Sequence, residues 1–394
     1  MYCIAQGSVL PALTDDQRYD LLKEAPLHSL AQLLEAVPDP RGRQGLRYDL
    51  PFMLCCLIAA LLCNCNGSEA VAQWCREHQE LLRQVFGPHR FLTPSGSLYR
   101  WLLPRLCADS LERVLAAWVQ ATLVADPSEA IALDGKVVRG AGTEEQKAPQ
   151  LLAFCTHESQ ETLLQVWIDE KTNEIPVAKA LLGQLPLSGR ICTADALHTH
   201  VGLMDGLSGL QAYSLLPVKQ NEPTLWADLH DYFADPLAQY VQASTTQRAR
   251  GRTEVRQIKV STELTAYLSV RWPHLQQVAE VTRTVTGKGK TTQEVLYLIT
   301  DLTPQQASPQ RLLQLNRGHW HIENGLHYVR DVSFGEDRSR LHTGNAPQVM
   351  AAVRNLVITL IHRSGSAQIA ASRRYFAYHP DQALAFCFQK GGQQ

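Results

Sequence analysis

No sign of charge prevails in this sequence. Across 394 residues, 37 lysines and arginines stand against 38 aspartates and glutamates, for a formal net charge of −1. The balance excludes a protein that holds nucleic acid by bulk attraction, so a polyanionic partner must be met by local basic patches. Long apolar runs are absent too. Residues 52–63 are apolar throughout, but the run is shorter than the roughly 20 residues that cross a bilayer, and it reads as a buried helix. The N-terminus lacks the basic segment of a secretory signal, so a cytoplasmic protein with no membrane partner is expected. The ten cysteines make no disulfide framework in a chain of this length. Cys55, Cys56, Cys63 and Cys65 crowd the apolar run, where packed, reduced thiols are expected, and no matching His or Cys pair stands near Cys63 and Cys65 to complete a zinc site. A serine nucleophile elbow, a phosphate-cradling glycine loop, an H-E-x-x-H motif, internal repeats and low-complexity segments are likewise missing.

What is present is an ordinary globular composition, 45% hydrophobic and 19% charged, long enough for two or three domains. Residues 1–126 read as an all-helical domain, with helix starts at Thr14 and Ser29 and a basic loop at 38–45. Further helices are expected up to residue 65, at 70–85 and at 98–103. The last of these carries Tyr99, Arg100 and Trp101 behind a Ser-Gly pair, which fits either a DNA-reading helix or a packing helix with an aromatic pair in the core. From residue 127 the pattern changes. A short apolar run ends at Asp134, a hairpin is expected from 151–157 and 162–169, a helix at 174–185, a strand at 190–195 ending in Asp195, a helix, and a strand at 212–217. Three strands, helix, strand, helix, strand is the order a ribonuclease-H-like core requires. Residues 219–302 then read as an inserted β-subdomain, with strands at 252–260, 267–272, 278–285 and 294–300. Residues 303–363 hold a helix around Glu323 and a closing helix at 345–363, and 364–394 form a tail without strong pattern. The fold class is therefore α/β: a ribonuclease-H-like mixed sheet with a β-rich insertion and an N-terminal all-helical domain.

Three carboxylates stand out. Asp134 and Asp195 each end a predicted strand, and ligands collect at the carboxyl ends of strands in open sheets. Glu323 lies on a helix that Ser308 caps and Pro309 opens, with Leu315, Ile322, Leu326 and Val329 marking its buried face. Glu323 falls at the rim of that face, and His319, His327 and Arg330 share its side. A carboxylate among basic groups at the edge of a core suggests a metal ligand beside an anionic substrate. Two strand-end carboxylates and a helical third can hold a pair of Mg²⁺ ions, hard cations that take oxygen ligands and activate phosphoryl transfer without a protein nucleophile. Lys136 and Arg139 would then hold phosphates of the scissile strand. The alternatives are plain: a strand-end Asp-Gly can be a turn, Asp195 can cap a helix, and Glu323 can pair with its neighbours. His319, Glu323 and His327 at i, i+4 and i+8 could instead serve a zinc hydrolase, although histidines that donate to phosphate oxygens suit a DNA site equally well.

Taken together, these segments resemble the DDE transposases of bacterial insertion sequences, in the branch of the H-repeat-associated proteins. The resemblance is carried by Asp39-Pro-Arg-Gly-Arg, Leu133-Asp-Gly-Lys-Val-Val-Arg-Gly, Glu170-Lys-Thr-Asn-Glu, Thr193-Ala-Asp-Ala-Leu-His-Thr, Val218-Lys-Gln-Asn, Arg317-Gly-His-Trp-His-Ile-Glu-Asn-Gly-Leu-His and Asp331-Val-Ser-Phe-Gly-Glu-Asp, in that order over residues 27–360. It implies DNA cleavage and strand transfer at element ends, with Asp134, Asp195 and Glu323 as the metal-binding triad, Mg²⁺ as cofactor with Mn²⁺ as substitute, and a homodimer on double-stranded DNA. The chain departs from the pattern at His200, Glu222 and Tyr328, and it places His319 and Arg330 where relatives carry an Arg and a Lys that touch DNA. Those departures leave open a second reading, a catalytically silent, transposon-derived DNA-binding protein. Local DNA contacts are expected from Lys219, from Arg248, Arg250, Arg252, Arg256 and Lys259, and from Arg283, Lys288 and Lys290. Trp320 reads either as a wedge beside a displaced base or as a core residue.

Overall fold

The computed structural model describes residues 29–42, 46–87, 93–123, 126, 128–142, 148–168, 174–249 and 251–388. The helix start expected at Thr14, most of the Glu170-Lys-Thr-Asn-Glu motif and the candidate DNA contact Arg250 lie outside them.

Among the described residues nine strands make one mixed sheet in the order β3-β2-β1-β4-β5-β9-β8-β7-β6. Strands β1 (Ile131–Val137), β2 (Gln150–Thr156) and β3 (Thr162–Ile168) are antiparallel neighbours. Strands β4 (Ile191–Ala194) and β5 (Tyr213–Val218) continue from β1 in parallel. This is the ribonuclease-H-like arrangement, antiparallel on one side of β1 and parallel on the other. The sequence dictates it locally. The four residues of β4 are all buried, as a central strand covered on both faces must be. The helices Glu174–Leu181 and Val201–Gly209 supply the crossover connections that parallel strands need.

The expected insertion does not stand apart as its own sheet. Strands β6 (Val241–Ala249), β7 (Arg252–Ser261), β8 (Gln277–Gly287) and β9 (Lys290–Thr300) extend the core sheet, because β9 runs antiparallel to β5 with Leu215 opposite Thr300. Residues 267–272, expected as a strand, are instead a short helix, Thr265–Leu268, and a turn that buries Leu268 and Trp272. The strand missing from the sequence reading is β6, exposed along nearly all its length and so without apolar alternation. The β8–β9 hairpin turns at Lys288 (φ 50°) and Gly289 (φ 76°), the positive-φ pair of a tight two-residue loop.

The helical region packs as one body against the closing helix. In Leu50–Leu62 every residue but Pro51 is buried, and the helix lies against Ala346–Arg363 and Pro380–Phe388. The tail thus holds two helices, Ile369–Tyr378 and Pro380–Phe388, where no pattern was read. The expected 70–85 helix is broken at His78 into Ser68–Glu77 and Gln79–Phe86. Helix Gly96–Leu102 puts one of its two aromatics in the core: Tyr99 is buried and donates its hydroxyl to the Met53 carbonyl at 3.0 Å, while Arg100 pairs with Glu69 and Trp101 is exposed beneath the Arg105 guanidinium. Asp39 folds onto Arg41, whose guanidinium also reaches the Tyr48 carbonyl, so this motif closes a loop. Among the described residues no helix is long and apolar enough to cross a membrane.

Candidate active site

Strand pairing itself brings two of the carboxylates together. The parallel β1–β4 ladder ends at Leu133 opposite Ala194, so Asp134 and Asp195 are the next residue on each of two adjacent strands. Strand β1 does not end at Asp134, as the apolar run implied. It continues to Val137 on β2 alone, and Asp134 sits where β1 loses one neighbour and opens to a cleft. The side chain of Asp134 is 18% exposed, and its Oδ1 accepts the Gly135 N–H at 2.8 Å. Asp195 is also the cap of a one-turn helix, its Oδ1 accepting the His198 N–H at 3.3 Å. The capping role and a place in the cleft coexist.

The third carboxylate arrives on a helix with a defect. Helix Pro309–Ile322 is capped by Ser308 and passes into a π turn, Glu323–His327, before resuming as Tyr328–Ser333. Such single-turn π segments insert an extra residue and recur at functional sites. This one begins at Glu323. Across it, His327 Nδ1 lies 3.1 Å from Glu323 Oε2 and 3.4 Å from Asp134 Oδ2. Leu312, Leu313 and Leu315 seat the helix on the apolar face of β7, β8 and β9, and Arg317 hydrogen-bonds Gln247 of β6. On the other side Gly318 and Gly325 let the helix approach the β2–β3 turn. A Cβ on Gly318 would stand 2.4 Å from His157 Nδ1, and one on Gly325 would stand 2.1 Å from Gln160 Oε1.

Asp134, Asp195 and Glu323 line one cleft of about 300 Å³, with His319, Trp320 and Lys219 on its walls. A second cleft of about 540 Å³ shares Asp195 and Lys219 and runs on past Leu197, Asn221 and Trp226. Asp195 thus stands where the two clefts meet. Burial pushes the Asp134 carboxyl up to about 6; His327 opposes the shift, and the Asp195 and Glu323 charges add to it. Glu323, the more exposed, is held below the usual carboxylate range by its hydrogen bond from His327. Crowded anionic oxygens on a partly buried carboxyl are the donor set of a hard divalent cation. Among the described residues, ligand atoms of Asp134, Glu323 and His327 come within 4.8 Å of one another.

Several expected DNA contacts are placed elsewhere. Arg330 is fully buried, bonded through Nε to Glu336 at 3.0 Å and through Nη1 to Gln165 at 3.1 Å. It cannot reach a phosphate, because the core needs it to neutralise Glu336, which Arg354 also contacts at 2.8 Å. His327 is 3% exposed and faces the carboxylates instead of solvent. Lys136 is 8% exposed, its Nζ fixed 2.6 Å from Asp331 Oδ2 of the Glu323 helix. Arg256 is tied to Glu254, and Lys259 to Glu280 at 2.8 Å. Arg139, Lys219, Arg248 and Arg252 are exposed, and Trp320 is 60% exposed at the cleft rim. The expected line of His319, Glu323 and His327 is only partly kept: Glu323 and His327 stay together across the π turn, while His319 turns its Nδ1 to Thr193 at 3.0 Å. The sequence reading missed His157 and Thr193. Thr193 shares a strand face with Asp195, two residues on, which is the one signal that could have marked it.

Comparison with known proteins finds relatives along most of the chain. Residues 126–360 match the family described as "Transposase DDE domain", and residues 31–119 match "DDE_Tnp_1-associated". "Putative transposase YncI" of Escherichia coli O157:H7 is 23% identical over 93% of this chain and 96% of its own length. "H repeat-associated putative transposase YhhI" of Escherichia coli (strain K12) is 24% identical over 85% of this chain and 90% of its own length. Among solved structures, a chain of the piggyBac transposase synaptic complex with hairpin DNA covers 95% of this chain, with 79% of that chain covered, 12% identity and a TM-score of 0.43.

Proposed function

This chain belongs to the transposase DDE-domain family, and we propose that it cleaves and joins DNA at the ends of its own element, with Asp134, Asp195 and Glu323 holding Mg²⁺. The observation that carries the reading is the convergence of these three carboxylates, two from adjacent strand ends and one from a π turn, on a single cleft. The donor set fits a hard divalent cation, with Mn²⁺ as substitute. When bound, such cations activate an attacking oxygen and stabilise the leaving oxygen of a phosphodiester.

The chain's own residues hold that apparatus in place. The Gly135 N–H fixes one oxygen of Asp134. The Lys136–Asp331 pair ties β1 to the Glu323 helix, so the strand and helical carboxylates keep their spacing. His327 places one nitrogen against both Asp134 and Glu323 and limits their repulsion. Lys219 and Trp320 border the cleft where a DNA strand would enter, and Arg139, Arg248 and Arg252 are free to take phosphates. Phosphate contacts of this sort position DNA without reading its sequence. Two ends must be brought together for strand transfer, so a homodimer on double-stranded DNA is part of the proposal.

The test uses purified protein and a duplex carrying the sequence that flanks its own coding region. With Mg²⁺ or Mn²⁺ the wild type should nick the duplex at the element boundary and Asp134→Asn should not. Binding with no metal-dependent cleavage by the wild type would leave the DNA-binding reading in its place.

A further inference from the structure

Three polar side chains form a line that the metal chemistry does not use. Thr193, 2% exposed in β4, has its Oγ1 2.8 Å from His157 Nε2 and 3.0 Å from His319 Nδ1. His157 is itself anchored: its N–H donates to the Ala130 carbonyl at 2.9 Å, and its own carbonyl lies 2.7 Å from His321 Nδ1. His319 stands on the cleft wall beside Asp134, Asp195 and Glu323.

The direction of these hydrogen bonds follows from packing. A hydroxyl has one proton to give, so Thr193 cannot donate to both rings. His157 Nδ1 faces the Cα of Gly318, so close that a Cβ there would be 2.4 Å away. A ring proton on that nitrogen would run into the Gly318 Cα–H, so His157 carries its proton on Nε2. It then donates to Thr193 Oγ1, Thr193 donates to His319 Nδ1, and the proton of His319 is fixed on Nε2, the edge left to the cleft.

We propose that His319 offers this fixed Nε2–H to a non-bridging oxygen of the scissile phosphate, with Thr193 and His157 as positioning residues that set its tautomer. The proposal rests on the reading of the cleft as a phosphodiester-processing site. Burial supports it, pulling His157 down to about 3 and His319 down to about 4. The basic groups around them, His198 and His327 for His319, and His319, His321 and Arg311 for His157, act in the same direction. An uncharged donor has a physical advantage here. It is not repelled by a divalent cation among the carboxylates, and it does not compete with that cation for them.

Two measurements test this. In ¹⁵N-histidine-labelled protein without DNA, the His319 resonances, assigned by their loss in His319→Gln, should show the neutral Nε2–H tautomer at pH 7. Thr193→Ser should keep that signature, and Thr193→Val should lose it while keeping the wild-type circular dichroism. An imidazolium or an Nδ1–H signature in the wild type overturns the proposal, and this readout stands whether or not the protein cuts DNA. With Mn²⁺ and the flanking duplex, His319→Leu should lower the cleavage rate roughly 10²–10³-fold, the usual effect of removing one donor to a transition-state oxygen. His319→Gln, which keeps a neutral donor, should recover part of that rate. Thr193→Val should lower kcat with little change in KM, and Thr193→Ser should restore it. The salt dependence of DNA binding should be the same for His319→Gln and wild type. A slope reduced by about 0.9 would mean that His319 binds as a cation, and the proposal would fail. If Asp134→Asn cleaves like wild type, the catalytic reading fails, and the tautomer measurement still judges the relay.

Discussion

His327 Nδ1 stands 3.1 Å from Glu323 Oε2 across the π turn, and the same nitrogen is 3.4 Å from Asp134 Oδ2. One turn of irregular helix therefore couples the helical carboxylate to the strand carboxylate.

A cation that joins this group should stabilise the fold. Mn²⁺ or Mg²⁺ at a hundredfold excess over its Kd is expected to add about 2.7 kcal/mol, because it binds the folded chain only. Thermal melts with and without EDTA would read the shift. Asp134→Asn and Glu323→Gln should each remove most of it. An equal shift in both variants and the wild type would place the cation elsewhere.

The two glycines of the Glu323 helix should respond differently to alanine. Each substitution gains up to about 1 kcal/mol of helix propensity. At Gly325 the obstacle is the Gln160 amide, the free end of a flexible side chain that can swing away. Gly325→Ala should be near neutral in urea unfolding. At Gly318 the obstacle is His157, held by Thr193 and the Ala130 carbonyl. Gly318→Ala should lose roughly 1–3 kcal/mol as an overpacking substitution and should slow cleavage.

Arginines at different depths should give different phenotypes. Burial works against the Glu336 charge, yet Arg330 and Arg354 overcome it and hold its pKa below the usual range. Glu336→Gln leaves two buried guanidiniums without their counter-charge and should cost on the order of 3–5 kcal/mol in urea unfolding. Arg330→Met should likewise change stability. Arg248→Gln and Arg252→Gln should leave stability within about 0.5 kcal/mol and reduce the salt slope of DNA binding by about 0.9 each. A salt slope altered by Arg330→Met at constant stability would contradict the buried position.

Stability should fall as pH rises through neutrality, on account of Glu112. It lies 6% exposed between Gln165 Nε2 at 2.8 Å and Gln348 Nε2 at 3.3 Å. Burial pushes its carboxyl up to about 8, against an ordinary value of 4.5. The folded state thus keeps a proton that the unfolded chain releases. Its contribution is complete below about pH 4.5 and is lost progressively as pH rises toward 8. The loss from pH 4.5 to 7 is on the order of 3 kcal/mol. Urea unfolding at pH 5 and 7.5 should show it, and Glu112→Gln should flatten that part of the profile.

Much of this protein is determined by local sequence. Apolar runs ending in Asp134 and Asp195 mark where the parallel β1–β4 ladder stops, although β1 itself runs on to Val137, since buried parallel strands are read from continuous hydrophobic stretches. Ser308 and Pro309 mark the start of the Glu323 helix, and the helix Leu50–Leu62 is legible because nothing polar interrupts it. The core order of strands and helices follows from these, and with it the meeting of three carboxylates on one cleft. Tertiary structure decided the rest. An exposed polar strand such as β6 has no periodic signal, because almost none of its side chains is buried against the core. Whether Arg330, His327 and Lys136 face DNA or the interior depends on Glu336, Asp134 and Asp331, residues that the chain path brings to them. The π turn and the His157–Thr193–His319 line arise only where β2, β4 and the Glu323 helix press together. Local sequence sets which way a strand or helix faces, but long-range packing sets what each polar group finally meets, and that decides the chemistry at Glu323.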